Sequence, residues 1–220
     1  MFEGLAARAR GRGGGLSGEL IITALAGATP LLMPAFARFG ERHPEIVLKY
    51  VTGAELLRLE YGDAHVAVRA GPKPQDPDYV VLPFRAVRFG LYAARGYIER
   101  FGHPSEESGF SGHRFVGQIG SGDRLPFSEW LGRHVSENAN AFRADAPNIR
   151  LEAVRAGMGL GFFSEHDVAG DPGIVEIIPP RDEWSSNLWI LTHVDLHRTA
   201  RVQAVLEFLR PRSRASSDQA

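Results

Sequence analysis

An alternation of apolar runs and amphipathic segments between residues 19 and 68 constrains the fold of this chain more than any other feature. A short apolar, β-branched run at residues 19–25 predicts a buried strand, and residues 46–51 and 66–68 predict two further strands. Residues 29–39 carry apolar side chains at helical spacing, and residues 54–61 predict a second, shorter helix. A strand–helix–strand–helix–strand series is typical of a parallel sheet with right-handed crossovers, so the sequence predicts an α/β fold.

The first predicted helix begins with two residues that favour helix initiation. Thr29 is expected at the N-cap and Pro30 at the first helical position. The apolar side chains that follow form one stripe, made of Leu32, Ala35, Phe36 and Phe39. This helix is therefore expected to pack on the sheet through that stripe.

The pattern changes after residue 78. Two extended runs, at residues 79–82 and 89–93, lie too close together for a helix to join them. The further predicted elements are helices at residues 97–101, 127–135 and 149–158, strands at residues 115–117, 160–163, 174–178 and 188–192, and a last helix that carries Val202, Val205, Leu206 and Leu209 at helical spacing.

Extended connectors at residues 79–93 and 174–192 would let the chain cross twice between two bodies. We therefore predict two Rossmann-like α/β lobes joined by two crossover connections. Lobe 1 is expected to comprise residues 18–86 and 194–211, and lobe 2 residues 87–193. Residues 1–17 are expected to be a flexible linker remnant, and residues 212–220 a disordered tail.

Composition excludes several classes of function. Lys and Arg number 25 against 26 Asp and Glu, so the chain has no basic excess for binding nucleic acid or a membrane surface. The absence of cysteine excludes disulfides, thiolate metal sites and cysteine nucleophiles. No apolar run reaches the roughly 18 residues that a membrane span needs, and residues 1–15 lack the apolar core of a signal peptide. We expect a soluble, cytoplasmic protein.

Motifs that could carry enzyme chemistry have simpler interpretations. The glycines of residues 157–161 close a predicted helix and open a strand, which is the reverse of a dinucleotide loop, so they predict a helix C-cap followed by tight packing. In residues 193–197 (His-Val-Asp-Leu-His), potential metal ligands stand at every second position. The sequence has no second group of such ligands to accompany them, so no metal is expected. No catalytic constellation is present, and neither an enzyme nor a cofactor is predicted.

Five groups of short segments, in this order along the chain, are similar to the effector-binding domain of LysR-type transcriptional regulators. They are residues 18–22 with 36–39 and 43–46, residues 66–71 (Val-Ala-Val-Arg-Ala-Gly), residues 91–97, residues 156–161 (Ala-Gly-Met-Gly-Leu-Gly), and the closing residues 191–196 with 201–202 and 208–209. The resemblance extends from Gly18 to Arg210. One departure is His65, where the family usually has an acidic residue; its side chain is expected to hold the start of a strand.

The resemblance implies a fold like the type II periplasmic binding proteins, with a small-molecule effector bound in a cleft between the lobes. It also implies side-by-side homodimers that pair lobe 1 of one chain with lobe 2 of the other. Family members carry an N-terminal winged helix-turn-helix, which these 220 residues do not supply. We expect DNA binding only through such a domain, and no operator binding by this chain alone.

Candidate ligand-binding residues follow from the position of predicted helix N-termini and strand ends. Helix N-termini favour anions, and open α/β sheets bind ligands at the carboxyl ends of their strands. The candidates are Gly27, Ala28 and Thr29, then Thr52 and Gly53, then Gln118, Ile119 and Gly120, and finally Ala146 and Asn148. For Thr29, helix capping and ligand contact remain alternatives.

The apolar and charged residues near the candidate positions indicate the kind of ligand. Residues 25–28 are mostly apolar, which favours an apolar or aromatic ligand with one polar end, such as an organic or aromatic acid. Among possible cations, Arg69 is more often structural at such a position, while Arg124 and Arg143 have no specific support. A stand-alone soluble solute-binding protein of the same fold is the alternative to a sensor domain, and an enzyme ranks third.

Overall fold

A computed structural model describes residues 16–52, 59, 62–107, 109–119 and 125–210. The chain divides into two compact units, which we call unit 1 (residues 1–85 and 187–220) and unit 2 (residues 86–186). The linker predicted before residue 16, the tail predicted after residue 211 and, apart from Leu59, the helix predicted at residues 54–61 lie outside the described residues.

The elements of unit 1 are β1 (Gly18–Ala24), a 3-10 turn (Ala26–Ala28), α1 (Thr29–Arg42), β2 (Ile46–Thr52), β3 (Val66–Ala70), the first part of β4 (Tyr79–Ala94), the last part of β8 (Ile174–His193), α6 (Val194–His197) and α7 (Ala200–Leu209). Its sheet has the strand order β2-β1-β3-β8, in which the first three strands are parallel and β8 is antiparallel. The predicted parallel α/β arrangement is confirmed.

Helices α1 and α7 form the helical layer of unit 1. The predicted stripe of α1 is buried, and Phe39 is fully enclosed. Its ring packs edge-to-face on Phe208 of α7, with ring centroids 5.5 Å apart. The predicted face of α7, Val202, Val205, Leu206 and Leu209, is almost completely buried. Burial of these two apolar stripes is the main hydrophobic contribution that the helices make to unit 1.

Besides parts of β4 and β8, unit 2 contains α2 (Arg95–Phe101), β5 (Phe115–Gln118), α3 (Ser128–His134), β6 (Asn140–Ala144), α4 (Pro147–Arg155), β7 (Gly161–Ser164) and α5 (Glu165–Val168). The C-terminal part of β4 pairs antiparallel with β7 and is adjacent to β8 in the sheet, while β5 and β6 form a separate two-stranded parallel sheet. The core is aromatic: Phe127 stacks on Phe162, which packs edge-to-face on Trp130 and Trp184.

Two pairs of predicted strands are single long strands in the structure. Residues 79–82 and 89–93 belong to one strand, β4, and residues 174–178 and 188–192 belong to β8. Both strands pass from one unit to the other, at residues 85/86 and 186/187. Much of the middle of each strand is exposed, so the apolar pattern that marks a strand in the sequence is interrupted there.

The second boundary between the units lies at residues 186/187, whereas the sequence places it at 193/194. Residues 188–191 belong to unit 1 because they pair with β3, with Ile190 opposite Val68. Strand β6 was not predicted at all. Its sequence, Asn-Ala-Phe-Arg-Ala, is short and mostly half-buried, and it offers no apolar run to recognise.

The glycine-rich corner at residues 157–161 has the predicted role of a helix C-cap with tight packing. Gly157 has a φ of +76°. Its N–H donates to the Val154 carbonyl and the Met158 N–H to the Ala153 carbonyl, which together form a Schellman motif at the end of α4. The dinucleotide-loop alternative is therefore ruled out by the local geometry of this segment.

None of the helices within the described ranges is long and apolar enough to cross a membrane.

Candidate functional site

The carboxyl ends of β1, β2 and β3 meet at one edge of unit 1. Ala24, the last residue of β1, lies between Thr52 of β2 and Val68 of β3 in the strand register. The chain leaves β1 at this edge and enters the 3-10 turn, so Gly27, Ala28 and Thr29 follow directly. The structure thus brings these candidates and Thr52 to the same edge. Ala28 is buried and Thr52 is exposed.

Thr29 does not cap α1, which corrects the sequence expectation. Ala28 is the N-cap residue, and Thr29 already has helical φ and ψ angles of −54° and −48°. The Thr29 hydroxyl lies 3.0 Å from the hydroxyl of Tyr50, on the neighbouring strand β2. Burial raises the pKa of Tyr50, while the bond with Thr29 acts in the opposite direction. The helix start and the end of β2 are thereby joined by a hydroxyl pair.

Arg69 lies one residue before the end of β3 and is half-buried. Its Nη1 donates to the Val68 carbonyl at 3.2 Å and to the Thr23 carbonyl at 3.4 Å. Burial lowers the pKa of Arg69. The side chain therefore places a positive charge beside the end of β1, just before the candidate residues of the 3-10 turn.

A second edge lies at the carboxyl ends of β5 and β6 in unit 2. Gln118 pairs with Ala144 in the register, and the Ile119 N–H donates to the Ala144 carbonyl at 3.2 Å. Ala146 is the N-cap residue of α4, with no capping bond from its side chain, and Asn148 is exposed in the first turn. The structure therefore brings these four candidates together.

Arg150, which the sequence reasoning did not single out, completes this second edge. Its Nη1 donates at 3.2 Å to the carbonyls of both Ala144 and Asp145. Burial lowers the pKa of Arg150, whereas Asp167 and Asp145 act in the opposite direction. An arginine so near a helix N-terminus opposes the helix dipole, and this unfavourable position is the sequence signal that could have identified it.

The remaining candidates are distributed as follows. Gly53 and Gly120 lie outside the described residues, as does Arg124. Arg143 is exposed on β6, where it pairs in register with Gly117.

The two histidines of residues 193–197 are engaged in local hydrogen bonds. His193 Nδ1 accepts from the Asp195 N–H at 3.2 Å, and His197 Nδ1 lies 2.9 Å from the Thr192 hydroxyl. Within the described part of the chain, no group of three His, Asp or Glu side chains is arranged to hold a metal ion. These histidines thus have a structural explanation at the junction of β8 and α6.

Two α/β units joined by two long strands, with candidate binding groups at strand ends and helix starts, define the class of periplasmic-binding-protein-like domains. Residues 13–214 match the family described as the LysR substrate binding domain. That match covers most of the chain, so this protein belongs to the LysR substrate-binding-domain family.

Comparison with known proteins gives the same class. The chain is 24% identical over 187 residues to a probable HTH-type transcriptional regulator LtrA of Klebsiella pneumoniae, covering 81% of this chain and 60% of that protein. It is also 34% identical over 83 residues to an HTH-type transcriptional regulator of Xanthomonas campestris, covering 38% of this chain and 24% of that protein. The chain thus spans less than two thirds of the length of each of these curated relatives.

Among solved structures, the regulatory domain of CrgA, a LysR-type transcriptional regulator from Neisseria meningitidis, is similar with a TM-score of 0.74 at 23% identity, covering 88% of this chain and 97% of that one. Full-length AphB, the Vibrio cholerae virulence activator, is similar with a TM-score of 0.73 at 19% identity, covering 94% of this chain and 73% of that one. At these identities the likeness establishes the fold.

Proposed function

We propose that this chain is the effector-sensing and oligomerising domain of a LysR-type transcriptional regulator. In this proposal it binds a small organic or aromatic acid with the strand-end groups of its two units and forms a side-by-side homodimer. A winged helix-turn-helix of the regulator supplies DNA binding, in the cytoplasm. The observation that carries the proposal is the gathering of Thr29 and Thr52 at one strand edge, and of Gln118 and Asn148 at another, in a domain of this family.

The composition of both edges supports a ligand with an apolar body. Leu25 and Val51 are exposed at the end of unit 1 where β1 and β2 finish, and Ile119 is 57% exposed in unit 2. Exposed apolar groups beside a few polar ones are typical of small-molecule sites. The curated relatives are named as transcriptional regulators, which favours a sensor over a stand-alone solute-binding protein.

A thermal-shift screen of the purified chain against organic acids, amino acids and aromatic carboxylates tests the proposal. Ligand at one hundred times its dissociation constant adds about 2.7 kcal/mol to the free energy of unfolding. For a chain of this size we expect the melting temperature to rise by roughly 5–10 °C. A wider library of neutral metabolites serves as a second arm. If no compound in either arm raises the melting temperature, the proposed sensor function is contradicted.

The hydroxyl pair at the start of α1 allows ligand contact to be separated from structure. Thr29→Val removes the Thr29 hydroxyl, whereas Tyr50→Phe removes only its partner; both lose the 3.0 Å hydrogen bond. We expect each variant to lose about 1 kcal/mol of unfolding free energy. Only Thr29→Val should also weaken the ligand found in the screen, by about tenfold, measured by calorimetry. Equal affinity in the two variants would assign Thr29 a purely structural role.

A further inference from the structure

The Arg69 guanidinium is only partly satisfied by the protein. Its two hydrogen bonds, at 3.2 and 3.4 Å, both come from Nη1 and lie at or beyond the long end of the normal N–H···O range. A guanidinium has five N–H donors, yet Nε and Nη2 of Arg69 donate to no group in the part of the chain that the structure describes. Among the described residues, one side of this half-buried cation therefore has no hydrogen-bond partner.

Arg69 also differs from other arginines of the chain in its electrostatic surroundings. Arg88 and Arg155 form ion pairs with carboxylates. For Arg69, Tyr79 is the one described group whose interaction offsets burial, and no described carboxylate contributes. Partial burial of a cation without a counter-charge lowers the stability of a folded protein. Such an arrangement is accounted for if an anion from outside the chain supplies the missing charge.

The neighbourhood of Arg69 matches an anion that is attached to an apolar body. Trp189 is the register partner of Arg69 on β8, and its indole N–H donates to the Gly71 carbonyl at 2.9 Å, which fixes the ring. Tyr79 and Trp189 both pack on the small apolar cluster of Leu59, Ala64, Ala67 and Leu191. Arg69 thus lies opposite an aromatic residue in the sheet, at the same strand edge as Thr52 and the 3-10 turn.

We propose that Arg69 is a specificity-determining residue that selects effectors carrying a carboxylate. The free Nε and Nη2 donors form the planar fork that binds a carboxylate through two parallel hydrogen bonds. The inference rests on the proposed sensor function and adds the residue that binds the acid group of the effector. No carboxylate of the described residues compensates the charge of Arg69, and in this proposal the carboxylate of the effector neutralises it on binding.

Matched acid and amide pairs test this assignment. The ligand pairs are benzoate with benzamide and hexanoate with hexanamide. Each compound is titrated against the wild type and against Arg69→Met, Arg69→Lys and Arg38→Met, and the melting temperature is measured. The affinity of the best acid is then measured by calorimetry. Arg38 is exposed on α1 and provides the matched control.

We expect the acids to raise the melting temperature more than the amides in the wild type and in Arg38→Met. Arg69→Met should abolish that difference and weaken the best acid about 30-fold or more, because a charged hydrogen-bonding partner is lost. Arg69→Lys should lie between the two.

Two further readouts separate recognition from a structural role. Without ligand, Arg69→Met should melt at the same temperature as the wild type or above it, because an unpaired cation is removed; a clear fall would show that Arg69 serves the fold. Benzoate should also shift the Nε–Hε nuclear magnetic resonance of Arg69, assigned by its loss in Arg69→Lys. Equal binding of acids and amides, or an acid preference that survives Arg69→Met, overturns the proposal. If only neutral ligands bind, the proposal for Arg69 is overturned but the sensor function is left intact. If neither acids nor neutral ligands bind, both the Arg69 proposal and the proposed sensor function are contradicted.

Discussion

Replacing Gly159 by alanine is expected to destabilise unit 2 by about 3 kcal/mol, the cost of forcing extra atoms into a packed site. A Cβ at this position would lie 2.4 Å from the Arg114 carbonyl oxygen, 2.7 Å from the Arg114 carbonyl carbon and 2.9 Å from the Phe115 nitrogen. All three atoms are backbone. They are held by the bonds from Leu160 N–H to the Arg114 carbonyl and from Val116 N–H to the Leu160 carbonyl, at 2.8 and 2.7 Å.

The clash therefore cannot be relieved by turning a side chain. Thermal unfolding should show a melting temperature lower by roughly 6–12 °C, from the usual shift per kcal/mol for a chain of this size. Gly132→Ala is the matched control, because Gly132 lies within α3 and its added Cβ would meet nothing within 4 Å. That variant should gain about 0.5–1 kcal/mol, since alanine favours the helix. A Gly159→Ala protein as stable as the wild type would contradict the close approach.

Replacing His65 by alanine is expected to cost about 1–3 kcal/mol, the penalty for leaving a backbone donor without its partner. His65 precedes β3 and bonds twice to Ile21 of β1: its own N–H donates to the Ile21 carbonyl at 2.8 Å, and its ring Nδ1 accepts from the Ile21 N–H at 3.0 Å. The expectation that this side chain holds the start of a strand is therefore confirmed by the geometry. His65→Asn keeps an acceptor that can reach the same N–H and should retain most of the stability.

The same hydrogen bond makes the free energy of unfolding depend on pH. Nδ1 accepts only when it is unprotonated, so the bond from the Ile21 N–H favours the neutral ring. Burial first, then the positive charge of Arg201, lowers the pKa of His65, although Glu19 acts in the opposite direction. As the pH falls below about 6.5, the unfolded histidine takes up a proton that the folded one resists. The contribution of His65 to the free energy of unfolding is therefore complete above about pH 6.5. It declines as the pH falls below that value, until the lower pKa of His65 in the folded protein is reached.

Chemical denaturation between pH 7.5 and 5 measures this effect as a slope. We expect the wild type to lose stability more steeply than His65→Asn, which has no titrating group at the site. Burial also lowers the pKa of His113 and of His197, so both proteins keep a residual slope of the same sign. Parallel curves for the two proteins would show that the His65 bond does not titrate in this range.

Local patterns in the sequence were sufficient for the parallel half of unit 1 and for its helical layer. The apolar runs of β1 and β3 and the stripes of α1 and α7 are buried as their patterns predict, whereas β2 alternates and leaves Val47 and Val51 exposed. The glycine corner at Gly157 was also predictable, because a left-handed residue at a helix end favours glycine whatever the surroundings. In these segments the local preference and the tertiary packing agree.

The candidate site was predictable only as a set of chain positions. Strand ends and helix starts can be located from pattern, so the edges with Thr52 and with Gln118 followed from the order of elements. The partners of each side chain could not be located in this way. Thr29 bonds to Tyr50 across a strand rather than to its own helix, and Arg150 reaches back to the end of β6, because both contacts depend on which backbones the fold brings together.

The α/β class, the parallel strands of unit 1 and the family were predictable from the amino-acid sequence, since they rest on periodicity and on short local motifs. Three features became visible only in the folded structure: β4 and β8 are continuous, residues 187–193 belong to unit 1, and Arg69 is half-buried without a described counter-charge. All three have the same cause. Strand pairing and charge burial are set by groups far apart in the chain, and no local pattern encodes such partners.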